Sequence, residues 1–169
     1  MKTQLGLEQI VTLVVFISAA SFLFLEISFQ ESKIKNKLEE EVLLSKGLSV
    51  SYLLLEDVGF PPNWDQTYVQ NGISSVKRFG LVDENYNQTY LLSLNKIKNF
   101  TSICKNNPRK FREILSNTRM NVFFYDKNHN LISSCEIYKF VNFVNITRVF
   151  SYIENNKVKL GIMMMVVGK

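Results

Sequence analysis

From Ile10 to Leu25 the chain reads IVTLVVFISAASFLFL, sixteen residues without a charge, a Gly, a Pro or an Asn. Leu5 and Leu7 before it and Ile27 and Phe29 after it extend the apolar stretch to about 25 residues, interrupted by Glu8, Gln9 and Glu26. A helix needs roughly 20 mostly apolar residues to cross a bilayer, so the length suffices. Nothing in the sixteen residues suits a helix face turned to water.

The helical pattern does not stop at the apolar stretch. Residues 27–57 hold no Pro and one Gly, Gly47. At 100° per residue, Ile27, Ile34, Leu38, Val42, Leu48, Tyr52 and Leu55 fall on one face, and Leu43, Val50 and Leu54 form a second stripe opposite. Two stripes fit either a helix end buried all round in its own domain or a helix with two packing partners. A helix from Leu7 to Asp57 would be roughly 75 Å long at 1.5 Å per residue, too long for the core of a small domain. Asp57-Val58-Gly59-Phe60-Pro61-Pro62 ends it, because Pro cannot continue a helix and Gly readily leaves one.

Three readings of the N-terminus compete: a cleaved secretory signal with small residues near Ile17–Ala20, an uncleaved signal anchor, and a leader cut ahead of the apolar stretch. Lys2-Thr3-Gln4-Leu5-Gly6-Leu7-Glu8-Gln9, followed directly by IVTLVVF, resembles the archaeal class III signal peptide. That is a pilin-like leader whose core reads Gln-x-Ser-x-Glu; here Gly6 stands in place of Ser. The resemblance implies cleavage between Thr3 and Gln4 by a prepilin-type peptidase. Gln4 would then be the first mature residue and Glu8 the fifth. It further implies that Glu8 pairs with the free amine of a neighbouring subunit, since a carboxylate at a membrane helix needs a cation or a headgroup. Gly59, Pro61, Asn63 and Trp64, followed by Arg78-Phe79-Gly80-Leu81, extend the likeness to about residue 100.

Charge asymmetry alone would place the body inside, because Lys33, Lys35 and Lys37 follow the span while only Lys2 precedes it. These lysines alternate with Glu31, Glu39, Glu40 and Glu41 on a continuing helix. The body also carries two Cys and three Asn-x-Thr sequons, at Asn87, Asn99 and Asn145, which suit an outside location. A disulfide between Cys104 and Cys135 is therefore expected. Asn87, in a turn, is the first candidate for modification, and Asn145 with Thr147 would point to the outer face of its strand.

Beyond residue 58 the pattern is that of a small α+β body. Asn63-Trp64-Asp65 reads as a turn, with Trp64 anchoring it to the sheet. Ser75–Val82 and Thr89–Leu94 read as strands about the turn Asp83–Asn87, and Asn95–Cys104 as a short helix. Pro108 opens a further helix through Leu115. Val122–Tyr125 and Leu131–Ile137 flank the turn Asp126–Asn130, and Val141–Ile153 and Val158–Val167 flank Glu154–Lys157. The last strand, VKLGIMMMVV, is apolar throughout, so it is placed centrally with both faces covered. Four to six antiparallel strands against the helix would make a two-layer core.

Catalytic and metal chemistry find little support. His129 is the only His and lies in a polar turn. No phosphate-binding loop, nucleophile elbow or HExxH pattern occurs, and the carboxylates of the body are scattered. With two Cys and one His, the chain falls short of the about four ligands of a structural zinc site. The basic run Lys105–Arg112 (KNNPRKFR) reads as a solvated surface, and no specific nucleic acid is expected. No enzyme, no cofactor and no metal is expected.

The expected organisation is a leader over 1–3, a transmembrane and assembly helix over 4–29, its amphipathic continuation over 30–57 and an extracellular body over 58–169. The fold expected is α+β and pilin-like, a long N-terminal helix on a small antiparallel sheet. The resemblance implies a structural subunit of an archaeal type IV pilus-like surface filament, with the membrane, the peptidase and like or related subunits as partners. A monomeric membrane-anchored binding module is the alternative.

Overall fold

Helix α1 runs unbroken from Lys2 to Glu56. The structure, a computed structural model, describes residues 2–86, 88–155 and 157–169; of residues 2–5, 7 and 32 it describes the backbone only. The chain divides into two compact units, the first ending at Glu39 and the second spanning Glu40–Lys169. Together they form the expected α+β architecture of a long N-terminal helix and a small sheet.

In the second unit α1 is followed by α2 (Trp64–Asn71), a 3-10 turn (Ile73–Ser75), β1 (Leu91–Leu92), α3 (Leu94–Asn106), α4 (Pro108–Ile114), β2 (Met120–Asp126), β3 (Leu131–Cys135), β4 (Phe143–Glu154) and β5 (Lys157–Gly168). The five strands form one sheet in the order β1-β4-β5-β2-β3. Neighbours are antiparallel except β1, which lies parallel to β4 through Leu91 opposite Ser151 and Leu92 opposite Tyr152. The all-antiparallel expectation is thus corrected at one short edge strand. That edge is reached from the helix end rather than from a hairpin.

Leu43, Val50 and Leu54, the second stripe of the sequence, are buried, and so is Gly47. At Gly47 the helix backbone comes close to the sheet: a Cβ there would strike Ile146 Cδ1 and approach Val167 Cγ2 to 3.0 Å. Behind this contact a relay of rings fills the core. Phe79 meets Trp64 at 5.3 Å and Phe100 at 5.2 Å, Phe100 meets Phe111 at 4.9 Å and Phe124 at 6.4 Å, and Phe124 meets Phe150 at 5.9 Å. Edge-to-face pairs of this kind add about 0.5–1.5 kcal/mol each beyond the area they bury.

Two further expectations change. Residues 63–65 are not a bare turn but open α2, where the Trp64 N–H bonds the Pro61 carbonyl at 3.0 Å and Asp65 lies in the first turn, a position the helix dipole favours for a carboxylate. Nor do residues 75–82 form a strand. Lys77 and Arg78 donate to Phe60 O, while Leu81 and Val82, joined by Tyr90, go to the end of α1, whose last carbonyls lack helical partners. The Leu81 N–H donates to Leu54 O at 2.9 Å, Val82 N–H to Asp57 O at 3.2 Å, and Tyr90 N–H to Leu55 O at 2.9 Å. Of the expected ladder between 75–82 and 89–94, only the single bridge of Val82 with Leu92 is present among the described residues, while Arg78 bridges to Phe60.

Strand β5 is central, as its apolar run predicts, but only one of its faces is covered. Gly161, Met163, Met165 and Val167 are buried, while Ile162 and Val166 are half-buried and Met164 is exposed. α1 and α3 cover the inner face, and no described element lies over the outer one.

Candidate functional site

In the first unit, every described side chain from Glu8 to Glu31 is exposed, including Phe16, Phe24 and Phe29 at 70% or more. One helix, with Glu8 near its start, is long and apolar enough to cross a membrane. Three of its hydroxyls bond back to their own helix. Thr12 Oγ1 donates to Glu8 O at 2.8 Å, Ser18 Oγ to Val14 O at 2.7 Å and Ser28 Oγ to Phe24 O at 2.9 Å, which satisfies each within its own helix, as hydrocarbon surroundings require.

Thr3 and Gln4 are helical in backbone, and their side chains lie outside the described residues. Gln4 stands four residues before Glu8 on the same helix, so the two share a face. The Glu8 carboxylate is exposed and holds no ion pair among the described residues.

In the second unit the two stripes of α1 separate in role. Leu43, Val50 and Leu54 dock on the body. Of the first stripe, Val42 remains 44% exposed and Tyr52 46%, Leu48 is half-buried, and Leu55 is buried with the docked set. Tyr52 carries the guanidinium of Arg148 over its ring, 4.8 Å from the centroid, and Arg148 Nε reaches the buried Ser51 hydroxyl at 3.4 Å.

Cys104 in α3 and Cys135 at the end of β3 are joined as a disulfide, with Cα atoms 6.1 Å apart. The sequons differ in surroundings. Asn87 lies outside the described residues. Asn99 is half-buried in α3 and its amide donates to Asp65 O at 3.3 Å; Thr101 is buried, its hydroxyl 2.6 Å from Ser133 Oγ. Asn145 and Thr147 are both exposed on the outer face of β4. In the basic run, Lys110 pairs with Glu113 at 2.9 Å and Phe111 is buried. His129 is exposed in the β2–β3 turn at φ 62°. Trp64 is fully buried and its Nε1 donates to Gly80 O at 2.7 Å, so it pins the loop at Gly80 rather than a strand.

Lys96 was not legible as a special residue. It is 2% exposed, and its ammonium donates to Pro62 O at 2.6 Å, Val58 O at 2.9 Å and Val82 O at 3.0 Å, with Glu84 Oε2 at 3.8 Å. Those acceptors come from two loops far away in the chain, so no local pattern marks the lysine. Among the described residues, no group of three or more His, Cys, Asp or Glu is gathered as a metal would need. No protein-family model matches the chain, and no curated protein and no solved structure matches it either.

Proposed function

We propose that the chain is a pilin-like structural subunit of an archaeal type IV pilus-like surface filament, held in the membrane by the first part of α1 before assembly and packed through that helix afterwards. The observation that carries the reading is the division of labour along one uninterrupted helix. Its first part exposes apolar side chains on every side, while its last part docks by one stripe and leaves Val42 and Tyr52 of the other open. Apolar surface of this kind is stable in lipid or against other helices, and moving it from one to the other keeps it away from water throughout. The body lies outside the cell in this reading, which suits the disulfide and the exposed sequon at Asn145.

Cleavage between Thr3 and Gln4 would create an amine one helical turn from Glu8. In a bundle of such helices each Glu8 would pair with the amine of a neighbour, because an unpaired charge in hydrocarbon costs several kcal/mol. The pair fixes the stagger of adjacent helices. N-terminal sequencing of the native protein should begin at Gln4. Glu8→Gln should stay membrane-bound and folded while losing incorporation into sheared filaments. Filaments of normal yield from Glu8→Gln would overturn the pairing, and wild-type protein absent from every filament fraction would favour the membrane-anchored binding module.

A further inference from the structure

A cleft of about 690 Å³ opens in the body between the first turns of α3 and the ends of the β2–β3 and β4–β5 hairpins, a size within the range of small-ligand sites. It exists because the strands differ in length. The pairing of β2 with β5 stops at Asp126 opposite Gly161, while β4 and β5 continue together to Glu154 and Lys157. Lys157–Leu160 therefore lacks its second neighbour strand.

The charge of the cleft is lopsided. Four lysines, Lys98, Lys127, Lys157 and Lys159, line it against two carboxylates, Asp126 and Glu154. Both carboxylates are already engaged. Asp126 accepts from Asn128 N at 2.7 Å, Asn130 N at 2.9 Å and Asn130 Nδ2 at 2.9 Å, and Glu154 pairs with Lys159. Lys98, Lys127 and Lys157 hold no ion pair among the described residues.

At the inner wall sits Tyr152, 3% exposed. Its ring packs on Phe150 at 5.9 Å, and among the described residues its hydroxyl has no hydrogen-bond partner. Tyr152 lines the cleft beside Glu154 and Lys159; burial raises its pKa, with Glu154 adding to this and Lys159 opposing it. The ring is buried but the hydroxyl oxygen is not, so a ligand acceptor would take the place of solvent there.

We propose that this cleft binds an acidic saccharide, a sugar carrying a carboxylate. The unpaired ammonium groups suit the carboxylate. The Tyr152 hydroxyl and the Asn128 amide suit ring hydroxyls. Leu94, Leu131 and Leu160 offer an apolar wall to the C–H face of the ring. A peptide strand fits less well, since lysines on a free strand edge oppose strand addition. Single-stranded nucleic acid would want an open aromatic platform for its bases, and the only aromatic residue lining the cleft, Tyr152, is buried. The site works on the single chain, so it stands independently of filament assembly.

The test is calorimetric titration of the full chain in detergent micelles with digalacturonate, neutral digalactose, inorganic phosphate and oligothymidylate. Digalacturonate should bind saturably and at least about tenfold more tightly than the other three, the worth of one charge-assisted contact. The double variant Lys98→Gln/Lys157→Gln changes two exposed residues, so the fold should persist while affinity falls by about tenfold or more. Tyr152→Phe keeps the buried ring and should cost about fivefold with the thermal midpoint unchanged. No saturable binding of digalacturonate, or equal affinity in the double variant, overturns the site. Phosphate, oligothymidylate or digalactose binding as tightly as digalacturonate overturns the acidic-sugar assignment.

Discussion

The ammonium of Lys96 sits 2.6 Å from the carbonyl oxygen of Pro62 and also bonds Val58 O and Val82 O, so one side chain satisfies the loop that leaves α1 and the segment that returns to cap it. Lys96→Met would leave three carbonyls short of a donor while sparing the cost of a buried charge. We expect a net loss of about 2–3 kcal/mol, read by chemical denaturation with the fluorescence of Trp64, the only Trp. Burial holds the Lys96 ammonium below its ordinary 10.5, opposed first by Glu84. The unfolded chain therefore keeps this proton to higher pH than the folded chain does. The Lys96 component makes stability rise as pH climbs toward 10.5, and it should vanish in Lys96→Met.

Gly80 leaves no room for a side chain. A Cβ there would strike Asp57 O and Gly59 N, both backbone atoms of the loop that ends α1. Gly80→Ala should lower stability by about 2 kcal/mol or more through overpacking. At Gly72 a Cβ meets nothing, and only the φ of 75° opposes it, so Gly72→Ala should cost about 1 kcal/mol. Equal losses at the two positions would contradict the close approach at Gly80.

The disulfide closes a loop between residues 31 positions apart. Its chain-entropy contribution is about 3–4 kcal/mol. Reduction, or the Cys104→Ser/Cys135→Ser pair, should lower the denaturation midpoint and steepen the slope, because the unfolded chain released from the cross-link exposes more surface. Both thiols reacting with an alkylating reagent in unreduced, denatured native protein would remove the bond altogether.

Of the two described sequons, Asn145 should carry the modification and Asn99 should not. The acceptor and its threonine are both exposed at Asn145, whereas in α3 Thr101 is buried and the Asn99 amide is already bonded to Asp65 O. Peptide mass spectrometry of protein from its own host should find added mass on the Asn145 peptide, lost in Asn145→Gln. A modified Asn99 would mean that the acceptor is read before the body folds.

Much of this architecture is legible in the residues. The sixteen-residue apolar run marks α1 and the Gly-Phe-Pro-Pro stretch ends it, and the polar turns Asp126–Asn130 and Glu154–Lys157 mark the two hairpins. What escapes depends on tertiary partners. The stretch WDQTYVQN is polar enough to read as loop, yet Trp64 and Tyr68, four apart, give it a single core-facing side. Residues 75–82 have strand-like composition, but the N–H groups of Leu81 and Val82 are claimed by the end of α1 and those of Lys77 and Arg78 by Phe60 O, which no period reveals. VKLGIMMMVV reads as two-sided because an apolar run does not say which face stays open. The cleft lysines look like ordinary solvated residues, and only the unequal strand lengths bring them to one place.

The capping of α1 by Leu81, Val82 and Tyr90 also decides how the body answers a pull. Tension on α1 arrives at a helix end held by main-chain bonds from two separate stretches of chain. The first stretch is in turn tied down by Lys96 and by the Trp64 bond to Gly80, and the second by the Ser151 N–H, which donates to Tyr90 O at 2.8 Å. Extracting the helix would require these bonds to break together rather than one after another, and bonds that share a load yield at a higher force than bonds that meet it in turn. The join is built as a graft rather than a hinge.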